Sequence, residues 1–192
     1  PSPPMDSTRF VRPLEEMDAR LDTFPRLLMH HAATRQDHPA TREKDLGIWQ
    51  TWTWRQVADE VRSIACGLAA NGFRRGMHLA IIGDNRPRLY WSMLAAQALG
   101  GVPVPMYQDA PAAEFVYVLN DAEIAYGIVE DQEQVDKVQE SLPQVPTLKY
   151  IYYDDAFNPA KTVEQVRRLI ESDNVAFLFN MLGTAPNSAV VQ

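Results

Sequence analysis

The sequence predicts an α/β fold, in which a largely parallel sheet lies between layers of helices in a Rossmann-like three-layer arrangement. Three observations indicate this. Short apolar runs alternate with segments of helical periodicity, turns containing glycine or asparagine separate them, and hydrophobic residues make up 46% of the chain without a run of membrane-spanning length. Such alternation is typical of strand, helix, strand units, which build parallel sheets.

The chain opens with an extension, residues 1–23, that is rich in proline and charge and is followed by a short amphipathic helix. From Phe24 the apolar positions follow helical spacing. The pattern ends at Asp37-His38-Pro39, because proline disfavours helix in the residue before it.

A strand and a long helix come next. Ile48–Trp52 reads as a strand, and Thr53 and Gln56 form a capping box in which each side chain satisfies the backbone N–H of the other residue. Helical spacing continues from Val57 to Leu68, and Asn71-Gly72 can adopt the left-handed conformation that ends a helix.

Strands and helices alternate over the rest of the chain. The expected strands are Met77–Ile82, Val102–Pro105, Ile124–Val129, Leu148–Tyr153 and Val175–Asn180. The expected helices are Pro87–Leu99, Ala112–Leu119, Asp131–Ser141 and Thr162–Ser172. Because right-handed crossovers join parallel neighbours economically, we expect one sheet flanked by helices.

Charge and cysteine content limit the classes of function. The chain has 18 Lys and Arg and 25 Asp and Glu, which gives a net charge of −7. This charge disfavours binding to nucleic acid and to anionic lipid, whereas a basic protein partner or a small ligand remains possible. Cys66 is the single cysteine, which excludes an intrachain disulfide, and its apolar surroundings at 61–68 predict a buried small hydrophobe. Without a signal-like or membrane-spanning segment, we expect a cytoplasmic protein.

Histidines and tryptophans indicate packing instead of chemistry. The four histidines do not stand at the i, i+4 or HExxH spacing of metal ligands, so we predict no metal site. Trp49 and Trp52 lie on opposite faces of the predicted strand, which favours ordinary core and boundary packing over an aromatic binding surface.

The turn Gly83-Asp84-Asn85-Arg86 is the first candidate binding site. It joins a predicted strand to a helix that Pro87 opens, so its backbone N–H groups and the helix dipole could hold an anion. The turn matches neither GxGxxG nor GxxxxGK[ST], and Asp84 and Asn85 are equally good capping residues. The sequence leaves both roles open.

Two carboxylate pairs, Glu130-Asp131 and Asp154-Asp155, also follow predicted strands. Carboxylates at strand ends serve metal or phosphate chemistry in some α/β sheets, and in others they cap the next helix. Both roles remain open for these pairs.

Several segments together resemble the N-terminal region of AMP-binding, adenylate-forming long-chain acyl-CoA synthetases, over about residues 24–153 or two thirds of the chain. The segments are Thr51–Val57, Ile64–Gly76, Leu79–Pro87 and Ala95–Tyr107. The resemblance implies a full-length enzyme that joins ATP, a fatty acid and CoA through an acyl-adenylate, with Mg²⁺.

In the family that this chain resembles, the catalytic groups lie further along, in a Ser/Thr/Gly-rich phosphate loop and a late lysine. Met181–Pro186 has one hydroxyl residue and no lysine, so it does not match the phosphate loop. No catalytic residue carries over, and we expect this chain to bind no cofactor and to be inactive alone, as a truncated part of the enzyme. Whether it is an enzyme at all stays open.

The tail, residues 156–192, resembles instead a piece of branched-chain amino-acid substrate-binding proteins of ABC transporters, in which Gly183 and Thr184 would be candidate ligand-binding residues. We therefore expect a chimera joined near 153–156, with a synthetase-like subdomain at 24–155. The alternative function is a non-catalytic small-molecule or amino-acid binding module or scaffold. Because the synthetase-like part lacks its later subdomains, we also expect self-association through exposed apolar surface.

Overall fold

The computed structural model describes residues 19–45 and 47–153. The described residues divide between Glu60 and Val61 into two compact units. The predicted helix Thr162–Ser172 and strand Val175–Asn180 lie outside the described residues, and the expected domain limits at 23 and 155 remain predictions. Within the described part, no helix is long and apolar enough to cross a membrane.

The first unit contains a helix and a two-stranded hairpin. A short 3-10 helix, Ala19–Leu21, precedes α1, Phe24–Thr34, whose N-cap is Thr23. Strands β1, Pro39–Asp45, and β2, Ile48–Thr53, pair antiparallel across a turn in which Gly47 has a φ of 81°. The hairpin is a separate sheet of its own.

Helix α2, Trp54–Ala70, begins at the predicted capping box. The Thr53 N–H donates to Oε1 of Gln56 at 2.9 Å, and the Gln56 N–H donates to Oγ1 of Thr53 at 3.3 Å. Each side chain thus satisfies a backbone donor that the first helical turn leaves free. The prediction of this helix start is confirmed.

The end of α2 is also as predicted. Gly72 has a φ of 92°, and the Phe73 N–H donates to the Leu68 carbonyl at 2.9 Å, which is the backbone bond of a Schellman cap. Because a side chain at such a φ is strained, glycine suits this position.

The second unit contains a four-stranded parallel sheet in the order β4-β3-β5-β6. The strands are β3, His78–Ile82; β4, Val102–Met106; β5, Tyr126–Val129; and β6, Tyr150–Tyr153. The helices between them are α3, Pro87–Ala98; α4, Ala112–Asp121; and α5, Gln132–Ser141, followed by a 3-10 helix, Leu142–Gln144. The α/β prediction is confirmed.

The core of this sheet is built from the sheet strands and the helices α4 and α5, which pack against each other. Phe115 and Leu119 of α4, Ile124, Val129 of β5 and Val138 of α5 are buried in one cluster. Their spacing of four residues on α4 is the helical period that places both side chains on one face. Burial of each such side chain contributes roughly 1.5–3 kcal/mol.

Two expectations were wrong, and one strand was not predicted. The strand is β1, Pro39–Asp45, whose four successive charged residues at 42–45 give no apolar alternation. Trp49 is 65% exposed instead of packed. Cys66 is exposed, because Val61, Ala65 and Leu68 take the buried face of α2 and its own position points away from that face.

We expect Thr53→Ala to lower the free energy of unfolding by about 1 kcal/mol, because it removes the N-cap acceptor of α2. Urea unfolding followed by circular dichroism measures this change. Thr53→Ser keeps the hydroxyl and should stay close to the wild type. Equal losses in the two variants would mean that the methyl group, and not the capping bond, matters.

Candidate functional site

Strand order identifies where a ligand crevice would form. The chain passes from β3 through α3 to β4 on one side, and then from β4 through α4 to β5 on the other side of β3. In doubly wound sheets, ligands bind outside the carboxyl ends of the two strands between which the connections change direction. Here those strands are β3 and β5.

The predicted anion turn lies at this place. Gly83, Asp84, Asn85 and Arg86 follow the end of β3, and α3 begins after Arg86 as its N-cap. Of the two roles left open for Asp84 and Asn85, capping of α3 is not observed, because Arg86 is the N-cap without a side-chain bond and Asp84 Oδ1 accepts from Gln108 instead. Asn85 accepts a hydrogen bond from the Tyr90 hydroxyl at 3.4 Å.

A carboxylate of the chain itself binds two donors of this turn. The Asp84 N–H donates to Oε2 of Glu130, and Arg86 Nε lies 2.9 Å from Oε1 of the same side chain. The Glu130 N–H donates to the Ile82 carbonyl at 3.0 Å, which fixes Glu130 beside the end of β3. A Cβ at Gly83 would lie only 2.6 Å from Oε2, so glycine leaves room for the carboxylate.

Burial raises the pKa of the Glu130 carboxyl above its ordinary value, and the negative charges of Asp84 and Asp131 act in the same direction. The Asp84 N–H and the Arg86 guanidinium oppose the change, because both stabilise the carboxylate form. Burial is the largest influence, since only 23% of the Glu130 side chain is exposed.

The polar contacts continue to β4 and α5. Gln108, just beyond β4, donates from Nε2 to Oδ1 of Asp84 at 2.6 Å. Lys137 of α5 donates from Nζ to the Gln108 carbonyl at 2.6 Å and pairs with Glu133 at 3.0 Å. The contacts therefore link the ends of β5, β3 and β4 to α5; we call Asp84, Arg86, Gln108, Glu130 and Lys137 the edge cluster.

The second member of the Glu130-Asp131 pair has a structural role. Asp131 is the N-cap of α5, where its Oδ1 accepts a hydrogen bond from the Gln134 N–H at 3.0 Å. Asp154-Asp155 and the candidate ligand residues Gly183 and Thr184 lie outside the described residues. In the part of the chain that the structure describes, no three His, Cys, Asp or Glu side chains are grouped to hold a metal ion.

Sequence reasoning missed Gln108 and Lys137. Gln108 had a usable signal, because it follows a strand of a parallel sheet and such positions meet at one edge. Lys137 had none, since its partner is a backbone carbonyl 29 residues away. Chemically, the edge cluster holds three strand ends together and presents its strongest donors to an internal carboxylate.

The fold and this edge define a doubly wound α/β unit in which the Glu130 carboxylate binds two donors of the turn at the switch point. The chain belongs to the family of AMP-binding enzymes, whose model matches residues 28–186. The match crosses the expected junction at 153–156 and gives a fusion with a substrate-binding protein no support.

Two relatives give the likeness in sequence. An uncharacterized protein of Mycobacterium tuberculosis is 36% identical over 59% of this chain and 62% of its own length. A long-chain-fatty-acid–CoA ligase of Mycobacterium bovis is 26% identical over 68% of this chain and 22% of its own. The chain therefore spans about a fifth of that ligase.

A solved structure gives the likeness in fold. The anthranilate CoA ligase in complex with anthranoyl-AMP superposes with a TM-score of 0.63 at 21% identity, over 69% of this chain and 25% of that one. The parallel sheet and its helices thus have the same fold as the matching part of that ligase.

We expect Glu130→Gln to become more stable relative to the wild type as the pH rises. A carboxyl whose pKa is higher in the folded than in the unfolded chain contributes stability at low pH, which is lost as the pH rises from about 4.3 through the folded pKa. Glutamine is neutral throughout and still accepts a hydrogen bond from Asp84. Urea unfolding at pH 4 to 8 measures the difference.

Glu133→Gln makes the same change at a side chain that is 71% exposed and in a surface ion pair, which is worth at most about 1 kcal/mol. Its effect on the free energy of unfolding should therefore not exceed about 1 kcal/mol at any pH of the series. If the Glu130→Gln difference did not change with pH, burial of Glu130 would not govern its proton affinity.

Proposed function

We propose that this chain supplies the N-terminal α/β portion of an AMP-forming CoA ligase that activates a long-chain fatty acid. The observation that carries the proposal is the family match over residues 28–186, together with the likeness to long-chain ligases over 68% of the chain. In the whole enzyme, ATP with Mg²⁺ and the fatty acid would form an acyl-adenylate, and CoA would take the acyl group.

Within that enzyme the described residues would contribute architecture. The donors at the switch point, the Asp84 N–H and the Arg86 guanidinium, already bind the Glu130 carboxylate. An anion site at Gly83–Arg86 stays a proposal, because an external anion would have to displace that carboxylate. Groups that stabilise phosphate charge are the main contributors to this class of reaction, and they would come from elsewhere.

The composition of the segment Met181–Pro186 also indicates that the phosphate-binding groups would come from elsewhere in the enzyme. It lies inside the family match but has one hydroxyl residue and no lysine to meet phosphate charge. No observation supports a ligand-binding role for Gly183 and Thr184 in an amino-acid binding module. We infer a cytoplasmic location from the ATP and CoA that the reaction consumes.

We expect the purified chain to catalyse no palmitate-dependent exchange of pyrophosphate into ATP. Radiolabelled pyrophosphate measures this exchange, with a complete long-chain ligase as the positive control. Exchange above that of a heat-denatured sample would contradict the assignment of the catalytic groups to other parts of the enzyme.

The family assignment has a separate test. Residues 28–153 replace the matched segment of the Mycobacterium bovis ligase, and palmitate-dependent exchange by the hybrid is measured. We expect measurable exchange, because the segment would rebuild the same sheet and helices. A hybrid that folds and melts cooperatively but shows no exchange would contradict the proposed function.

A further inference from the structure

Within the first unit, helix α1 is joined to the start of α2 by backbone bonds and by one contact between rings. The Trp54 N–H donates to the His38 carbonyl at 3.1 Å, and the Arg55 N–H donates to the Gln36 carbonyl at 3.1 Å. The imidazole of His31 lies on the Trp54 indole, with 4.6 Å between the ring centroids. The turn after α1 thus accepts donors that the first turn of α2 leaves free, and the His31 side chain packs at the same place.

The surroundings of His31 favour a neutral imidazole. Its Nδ1 atom is buried and has no hydrogen-bond partner among the described residues, so a proton bound there would have no acceptor. The ring also packs on the first residue of α2, where the helix dipole is positive. Because histidine ordinarily gains its charge between about pH 5 and 8, these surroundings act within the physiological range.

The charged groups near His31 come from α1, from the turn that follows it and from α2. Burial is the largest influence that lowers the pKa of His31, and repulsion by Arg35 and His30 on α1 acts in the same direction. The carboxylate of the turn, Asp37, lies 3.2 Å from Nη2 of Arg55 on α2 and is therefore balanced by that ion pair. A proton on His31 would thus add a positive charge beside Arg35 with little compensation.

We propose that the His31–Trp54 contact is a pH-sensitive switch, which holds α1 to the start of α2 while the imidazole is neutral and releases it when the imidazole is protonated. The neutral ring packs on the indole without a buried charge. An imidazolium in the same place would be partly removed from water, whereas release returns it to solvent. The proposal does not depend on the ligase function of the whole enzyme.

The direction of the pH effect follows from the two states of the helix. In the released state His31 is an ordinary histidine with a pKa of about 6.5, and in the packed state its pKa is lower. The released state therefore binds a proton more tightly. The contact has its full strength above pH 6.5 and weakens as the pH falls through that value toward the lowered pKa, so α1 should open more often in mildly acidic solution.

Proton NMR of the whole chain from about pH 5 to 8 measures the pKa of each histidine. We expect the pKa of His31 to lie below its ordinary value of 6.5. A value at or above 6.5 would overturn the proposal. It would mean that the indole face and the C-terminal end of α1 attract the imidazolium more strongly than burial and Arg35 oppose it.

Amide hydrogen exchange tests whether protonation releases the helix. After correction for the intrinsic pH dependence of exchange, the protection of α1 should fall at least about threefold from pH 7.5 to pH 5. His31→Phe keeps a ring on Trp54 but cannot be protonated, so its protection should not change with pH. The matched control, His38→Phe, removes an exposed imidazole and leaves the backbone bond to Trp54, so it should respond like the wild type.

Circular dichroism checks that the variants fold. If the protection of α1 fell equally in the wild type and in His31→Phe, or if His38→Phe no longer responded to pH, the titrating group would be another one and the proposal would be wrong. His31→Gln is a second variant that cannot be protonated and carries the same expectation. Should both His31 variants fail to fold, the pKa of His31 in the wild type and the pH response of His38→Phe still decide the matter.

Discussion

The contact between Glu130 and the β3–α3 turn is the constraint on which the carboxyl edge of the sheet depends. Parallel strands end together with their turn donors facing one crevice, and these donors need acceptors. Glu130 supplies one from the neighbouring strand β5, and Gly83 leaves the space for it. Two donors at this edge are therefore bound by a side chain of the same unit.

Burial of the Glu130 carboxylate costs electrostatic free energy, and the contacts around it connect several elements of the fold. Burial of the carboxylate works against its charge, and the Asp84 N–H with the Arg86 guanidinium offsets part of that penalty. In return, Gln108 and Lys137 extend the contacts to β4 and α5. The four described strands of this sheet thus gain connections between elements that are distant in sequence.

Features that depend on neighbouring residues could be predicted from the sequence, whereas features that depend on the order of strands in the sheet could not. The capping box at Thr53 and the left-handed Gly72 follow from neighbouring residues, so the limits of α2 could be predicted closely. The Asp84–Glu130 contact joins positions 46 residues apart and requires β5 to lie beside β3, which periodicity cannot specify. Strand β1 was not predicted because its sequence, with four charged residues at 42–45, has no apolar alternation.

The prolines of β4 also give the parallel sheet a direction of growth. With Pro103 and Pro105 at one margin, any strand that joins this sheet later must add beside β6. During synthesis, the ribosome would release β4, the edge strand that carries the prolines, before β6, the edge strand at the other side of the sheet. The sheet could then lengthen only toward the newly made polypeptide, so assembly would follow the order of translation and would not need rearrangement of strands already in place.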